Sequence, residues 1–271
     1  MKKLIALMAI ASVAFVSCSK DDNNEASNNN NGGGGGAPTL TVDRKIRPLF
    51  VDYTATWCGP CGSSGGPAFD GTITQEGTLL CPMKVYSTSS NPGMGHPLYT
   101  SMTSAFGVTG IPDFWVNNTA VSTSTNSALS NATTIQNDTT KLIAGVALSK
   151  SIDGDSMTVI TKSQFFKSQS TGDYYLAVYV VEDNVIGGQL VGSTQNPSYD
   201  HRNVLRASPK TTYYGETLNA NTAIAADQVF DKTYKIYLNP AWNKNKLKVI
   251  ATIWKKATSG PYTAVNSNMV K

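Results

Sequence analysis

Charge is scarce in this 271-residue chain: 22 Lys and Arg stand against 18 Asp and Glu, 15% of the residues together, and no long basic cluster gathers them. A net charge of +4 spread this thinly excludes the electrostatic footprint that nucleic-acid binding leaves. Membrane-length apolar runs are missing too, since the stretch from Leu4 to Val16 is too short to cross a bilayer comfortably. Histidine is limited to two residues and cysteine to four, so any site built on either has few sources. What is present is 40% hydrophobic residues, enough for real cores and for two domains of ordinary size.

Residues 1–17 combine a basic start, Lys2-Lys3, with the Leu4–Val16 stretch and read as an export signal. Val16-Ser17-Cys18 resembles the lipobox of bacterial lipoproteins, in which the cysteine becomes the acylated first residue. Cys18 is then expected to carry palmitate-type acyl chains, and several such chains hold a protein stably on a membrane. An ordinary cleavable signal is the poorer reading, because no Ala-x-Ala site follows. Residues 18–38, rich in Asn and with Gly32 to Gly36, have almost nothing to bury and read as a flexible tether. Asp21-Asp22 resembles export signals of some surface lipoproteins; a plain solvated spacer is the other reading.

The chemistry concentrates in Thr56-Trp57-Cys58-Gly59-Pro60-Cys61. Two cysteines at this spacing can close and open a reversible disulfide, Cys58–Cys61. The apolar run Pro48–Ala55 before them reads as a buried strand. A helix opening at the pair would place Cys58 where unsatisfied N–H groups favour a thiolate. Cys58 is therefore the expected nucleophile and Cys61 the resolving thiol. Zinc knuckles share the spacing, and Cys58, Cys61, Cys81 and His96 could in principle assemble one. The preceding strand and the later Gly-Ile-Pro segment argue against it, so neither a metal nor a cofactor is expected.

Three separated features resemble thioredoxin-like proteins: the Trp-Cys-Gly-Pro-Cys motif, Asp52 six residues before Cys58, and Phe106-Gly107-Val108-Thr109-Gly110-Ile111-Pro112. The resemblance implies that Asp52 relays the proton of Cys61, that Pro112 is a cis-proline beside the disulfide, and that the Ile111 backbone pairs with a substrate peptide. Trp57, Ile111 and Pro112 are then the expected substrate-binding residues, beside Cys58, Cys61 and Asp52 in catalysis.

The thioredoxin-like α/β domain is expected over residues 39–140. It holds a second strand at Met83–Thr88, a helix at Pro97–Ala105, a hairpin about Asn117-Asn118, and a loop plus polar helix from Ser122 to Thr140. Gly62-Ser63-Ser64-Gly65-Gly66-Pro67 departs from the family pattern, and predicts a short or broken first helical turn. Cys81, near the start of its strand, is expected to be a free, buried thiol. Residues 141–271 change to strand-like runs at Leu142–Leu148, Met157–Phe165, Tyr174–Val181, Asn203–Ala207, Val229–Leu238 and Leu247–Trp254. They predict an all-β antiparallel sandwich domain.

The lipobox, the thioredoxin-like half and the β-rich half containing Tyr199-Asp200-His201-Arg202-Asn203-Val204-Leu205-Arg206 together resemble the 28-kilodalton-type outer-membrane lipoproteins of Gram-negative bacteria. That resemblance implies an outer-membrane, lipid-anchored location on the cell surface or the periplasmic face. His201 beside Asp200 and Arg202 could be an acid–base pair, but a hydrogen-bonded structural histidine is the more common role.

Two functions remain open. One is a thiol–disulfide oxidoreductase acting on cysteines of exported proteins; the other is a surface binding or adhesion lipoprotein whose disulfide is only structural. Gly59-Pro60 resembles the dipeptide of reducing thioredoxins, yet a reductase outside the cytoplasm needs an electron donor, so both directions of electron flow stay open.

Overall fold

Leu49-Phe50-Val51-Asp52-Tyr53-Thr54 forms strand β1, and all six residues are buried, as a strand covered on both faces requires. The structure is a computed structural model describing residues 38–76 and 80–271. The expected signal (1–17), Cys18 and the tether up to residue 37 lie outside the described residues.

After β1 the chain enters helix α1 (Gly66–Glu76), strand β2 (Cys81–Tyr86), helix α2 (Leu98–Phe106), strands β3 (Asp113–Val116) and β4 (Thr119–Val121), and helix α3 (Thr125–Asn137). Strand β2 runs parallel to β1 with Leu49 opposite Cys81 and Thr54 opposite Tyr86, while β3 is antiparallel to β1. Helices flank this part on both sides. One face packs Val51, Tyr53, Met83 and Val85 against Leu98, Met102 and Phe106 of α2. The other packs Phe50, Phe114 and Val116 against Phe69 of α1 and Ala128 and Ala132 of α3. Asn117 takes a φ of 51° between β3 and β4, and its side chain accepts from the Leu49 amide at 2.9 Å. Ser124 caps α3 by accepting from the Ser127 amide at 3.3 Å, which satisfies one of the donors a helix start leaves open.

The remainder is strand: β5 (Ala144–Asp153), β6 (Ser156–Phe165), β7 (Tyr174–Glu182), β8 (Val185–Val191), β9 (Thr194–His201), β10 (Val204–Ala207), β11 (Glu216–Thr217), β12 (Val229–Tyr237), β13 (Leu247–Lys255) and β14 (Thr263–Val270). The main sheet runs β14-β13-β7-β10-β2-β1-β3-β4, with β11 added on β7. A second sheet, β12-β6-β5, packs on part of it, and β8 and β9 form a separate hairpin. Alternation along β7 and β13 explains the layering. Leu176, Val178, Val180, Leu247, Val249, Ala251 and Ile253 meet Val146, Met157, Val159 and Ile236 of the second sheet, while Tyr179, Val181, Ile250 and Trp254 turn to the α2 side. The β-rich part is thus sandwich-like, as expected.

The outcome differs from the expected organisation in one respect. Residues 38–271 form one compact unit, because the sheet does not stop at 140/141. Strand β10 sits between β2 and β7, with Val204 opposite Lys84 in β2 and Leu205 opposite Val181 in β7. Strands β8, β9, β11 and β14 are additions to the six strand-like runs read from the sequence. Among the described residues, no helix is long and apolar enough to cross a membrane.

Candidate functional site

β1 delivers the chain to the cysteine segment. The Cys58 amide donates to the Ala55 carbonyl at 3.3 Å, and helical turns begin at Gly59, so Cys58 stands just before them. The glycine-rich stretch does perturb the helix: Cys61–Gly65 is a wider π turn, and a regular α-helix starts at Gly66. Pro67 follows directly where the π turn passes into α1, and its missing N–H leaves a carbonyl of the preceding turn without the usual helical donor.

Cys58 and Cys61 are bridged, with Cα atoms 5.2 Å apart. They are 6% and 4% exposed. The Cys61 amide donates to the Cys58 sulfur at 3.2 Å. On the other side that sulfur lies 3.7 Å from the Ile111 carbonyl oxygen. The Ile111–Pro112 peptide is cis, and Pro112 presses on the π turn so closely that a Cβ on Gly65 would lie 2.7 Å from the Pro112 Cβ. Trp57 stands 53% exposed, its indole N–H donating to the Ser89 hydroxyl at 3.1 Å. Sequence-distant Ile111 and Pro112 therefore meet the cysteine pair, with Trp57 on the open side.

Asp52 lies two residues before the end of β1 and is 1% exposed, its Oδ1 without a hydrogen-bond partner. Burial raises its pKa to about 7, against the opposing pull of Lys84. Lys84, opposite Asp52 in β2, is itself 1% exposed, 3.5 Å from Asp70 Oδ1 and 4.6 Å from the centre of the Phe69 ring. Burial raises the Asp70 pKa as well. The result is a buried acid that can hold or release a proton near neutrality, tuned by one buried cation.

Other sequence candidates fall elsewhere. Cys81 is free and fully buried, and burial pushes its thiol up to about 12. The His96 Nδ1 accepts from the Leu98 amide at 3.1 Å, and burial lowers its pKa to about 4. His201 is fully buried, shares a 2.7 Å hydrogen bond with the Tyr86 hydroxyl through Nδ1, and leaves Nε2 without a partner. Its pKa is lowered to about 4 by burial first and by Lys84 second. Among the described residues, no group of three His, Cys, Asp or Glu side chains could hold a metal ion.

The β8–β9 hairpin is the part of the site that sequence reasoning missed. The Leu190 amide donates to the Thr56 carbonyl at 2.8 Å and the Gly192 amide to the Gly59 carbonyl at 3.0 Å. The Gln189 side chain donates to the Ala55, Cys58 and Leu190 carbonyls at 3.2, 3.0 and 3.0 Å. The Tyr199 hydroxyl reaches the Gly62 carbonyl at 3.5 Å. The loop before α2 braces the segment as well: the Asn91 amide donates to the Thr56 hydroxyl, and the Asn91 side chain to the Gly188 carbonyl, both at 2.9 Å. A Gly192-Ser193 turn between two short runs was the available signal for the hairpin. Nothing local indicates where it docks.

The family model described as "Outer membrane protein Omp28" matches residues 100–270. Of solved structures, HBP35 of Porphyromonas gingivalis is similar, with a TM-score of 0.65 at 18% identity, over 85% of this chain and 76% of that one. A domain of the outer membrane lipoprotein Omp28 from Porphyromonas gingivalis also aligns, with a TM-score of 0.33 at 14% identity, over 48% of this chain and 87% of that one. No curated protein matches the chain.

Proposed function

The chain belongs to the Omp28 family of outer membrane proteins, and from that premise we propose that it is a thiol–disulfide oxidoreductase of the outer membrane that exchanges disulfides with exported proteins through Cys58 and Cys61. The observation that carries this reading is the closed Cys58–Cys61 bridge with the Cys58 sulfur 3.7 Å from the carbonyl that precedes cis-Pro112. The exposed Trp57 beside it offers an apolar contact for a partner. Parallel β1 and β2, antiparallel β3 and helices on both faces support a thioredoxin-like organisation of residues 39–140, sharing its sheet with the β-rich residues 141–271.

In the oxidising direction a thiolate of a protein dithiol attacks the Cys58 sulfur. The Cys58–Cys61 bond breaks, a mixed disulfide forms at Cys58, and Cys61 leaves as a thiolate that takes a proton from Asp52. The second substrate thiolate then attacks its partner sulfur in the mixed disulfide and releases Cys58. Two electrons pass to the cysteine pair, and the substrate leaves with a disulfide. The reverse sequence reduces a substrate disulfide, with Asp52 accepting the Cys61 proton. A second protein dithiol–disulfide couple resets the pair in either direction. Cys18 is the proposed acyl anchor, checked by detergent partitioning of Cys18→Ser, which should leave the membrane fraction.

Trapping tests the reading. Cys61→Ser should accumulate mixed disulfides through Cys58, since the resolving thiol of the pair itself is gone, whereas Cys58→Ser should accumulate few. The low exposure of Cys58, 6%, favours a second reading in which the bridge is a structural staple on a surface-binding lipoprotein. Resistance of the bridge to mild reductants, with no capture by either variant, would select it.

A further inference from the structure

On strand β8 the one buried residue is polar. Gln189 is 2% exposed, while its six neighbours in the strand are half-buried or exposed. The β8–β9 register shifts between Gly187 and Gln189, and such an irregularity re-aims the side chain that follows it. Here it aims the amide at the backbone carrying the cysteines. The amide nitrogen has two hydrogens and meets three carbonyls, those of Ala55, Cys58 and Leu190, at 3.2, 3.0 and 3.0 Å. Two backbone bonds, Leu190 to Thr56 at 2.8 Å and Gly192 to Gly59 at 3.0 Å, hold the strand against the same turn.

We propose that Gln189 is a positioning residue for the redox pair: by holding the Ala55 and Cys58 carbonyls it fixes the turn that points the Cys61 N–H at the Cys58 sulfur, and so sets how readily Cys58 reacts. The proposal deepens the oxidoreductase reading and rests on it. Its physical basis is a matter of where the polar groups of the turn find partners. Among the described residues, the Cys58 carbonyl otherwise receives the Gly62 amide at 3.3 Å and the Ala55 carbonyl the Cys58 amide at 3.3 Å. Without the Gln189 amide these poorly satisfied carbonyls would rotate toward other donors. The turn would carry the Cys61 amide with it, away from its 3.2 Å contact with the Cys58 sulfur. An N–H donor stabilises the thiolate over the thiol, so the loss makes Cys58 less reactive and the reduced form less favoured. Gln189 reaches the site from more than 120 positions away in the chain, and it is the hairpin side chain that donates to the Ala55 and Cys58 carbonyls, which makes it separable from the backbone bonds of Leu190 and Gly192.

The test uses the full chain with Gln189→Met, which keeps the length and removes the donors, and Gln189→Glu, which keeps the shape and replaces the donors with acceptors. Iodoacetamide labelling of the reduced protein at pH 7, read at the Cys58 peptide by mass spectrometry, should slow about tenfold in Gln189→Met, the factor corresponding to one lost hydrogen bond. The equilibrium of the pair with the glutathione couple should move toward the disulfide by about the same factor, and Gln189→Glu should shift both further. Folded variants within twofold of the parent protein in both measurements would overturn the proposal. So would loss of the fold in both variants, which would make Gln189 a structural residue only. Because both readouts use the dithiol itself, they report on Gln189 even where Cys61→Ser captures no partner, the outcome that defeats the parent reading instead.

Discussion

Gly59 and Gly192 meet backbone to backbone. The Gly192 amide donates to the Gly59 carbonyl at 3.0 Å, and a Cβ on Gly59 would lie 2.0 Å from the Gly192 oxygen. The residue directly after Cys58 is therefore the seat of a hairpin more than 130 positions further along the chain, and the candidate site is walled by a part of the protein outside its own local motif.

Gly59→Ala should force the hairpin off that seat, because the obstructing atom is backbone and cannot rotate away. A cost of about 1–3 kcal/mol is expected from the overlap. Urea unfolding of the oxidised protein measures it; unchanged stability would mean the hairpin lifts without penalty.

Asp52 makes the fold less stable as pH rises. Its carboxyl ionises near 3.9 in the unfolded chain and at about 7 in the folded one. Between those values the folded state holds a proton that the unfolded state has lost, so the contribution is full below about pH 4 and gone above about pH 7. Asp52→Asn should remove that decline, up to about 4 kcal/mol in the difference between pH 4 and pH 8. Unfolding curves at the two pH values, variant against parent, give the number. The same substitution should slow release of a trapped mixed disulfide more than its formation, read by quenched-flow labelling.

The two histidines act at the acid end. His96, half-buried, and His201, fully buried, ionise at about 4 in the folded protein because desolvation disfavours the charged imidazole, against about 6.5 unfolded. Below pH 6.5 the unfolded chain takes up protons the folded chain refuses, so stability is full above that value and lost as pH falls through 4. His201→Phe should reduce the loss between pH 7 and 4 by up to about 3 kcal/mol, even though it leaves the Tyr86 hydroxyl unpaired and lowers stability at every pH. The slope decides: a variant that loses stability on acidification as steeply as the parent would show that His201 does not titrate with unfolding.

Cys81 should escape iodoacetamide in the native protein and react once the chain is unfolded. It pairs with Leu49, whereas Thr54, at the cysteine end of β1, pairs with Tyr86. Five residues of strand separate the two levels, about 17 Å, when a disulfide needs Cα atoms within about 7 Å. Peptide mapping that found Cys81 bridged to Cys58 or Cys61 would overturn the β1–β2 register.

Local pattern was enough for much of this protein. The apolar run before Trp57 is β1, the polar stretch after Ser122 contains α3, the turn at Asn117-Asn118 joins β3 to β4, and alternation at Leu247, Val249, Ala251 and Ile253 marks the inner face of β13. The cysteine spacing, Asp52 and the Gly-Ile-Pro segment were equally legible, because each is written in a few consecutive residues. Strands β8, β9 and β14 were not. In β8, Gly187, Gly188 and Gln189 interrupt the alternation, and β9 sets Pro197 among polar residues with no aliphatic side chain to mark an inner face. In β14, Asn266 and Asn268 look like loop residues but donate to the Ala144 and Val146 carbonyls of β5, each at 2.9 Å. Nor does any local pattern place β10 between β2 and β7, bury Lys84 opposite Asp52, or bring Gln189 to Cys58. Periodicity reports which face of a segment is apolar, and that follows from adjacent residues. Which strands pair, and which polar side chains are buried because a distant carbonyl awaits them, depends on groups far apart in the chain, whose energies exist only once the whole sheet has closed.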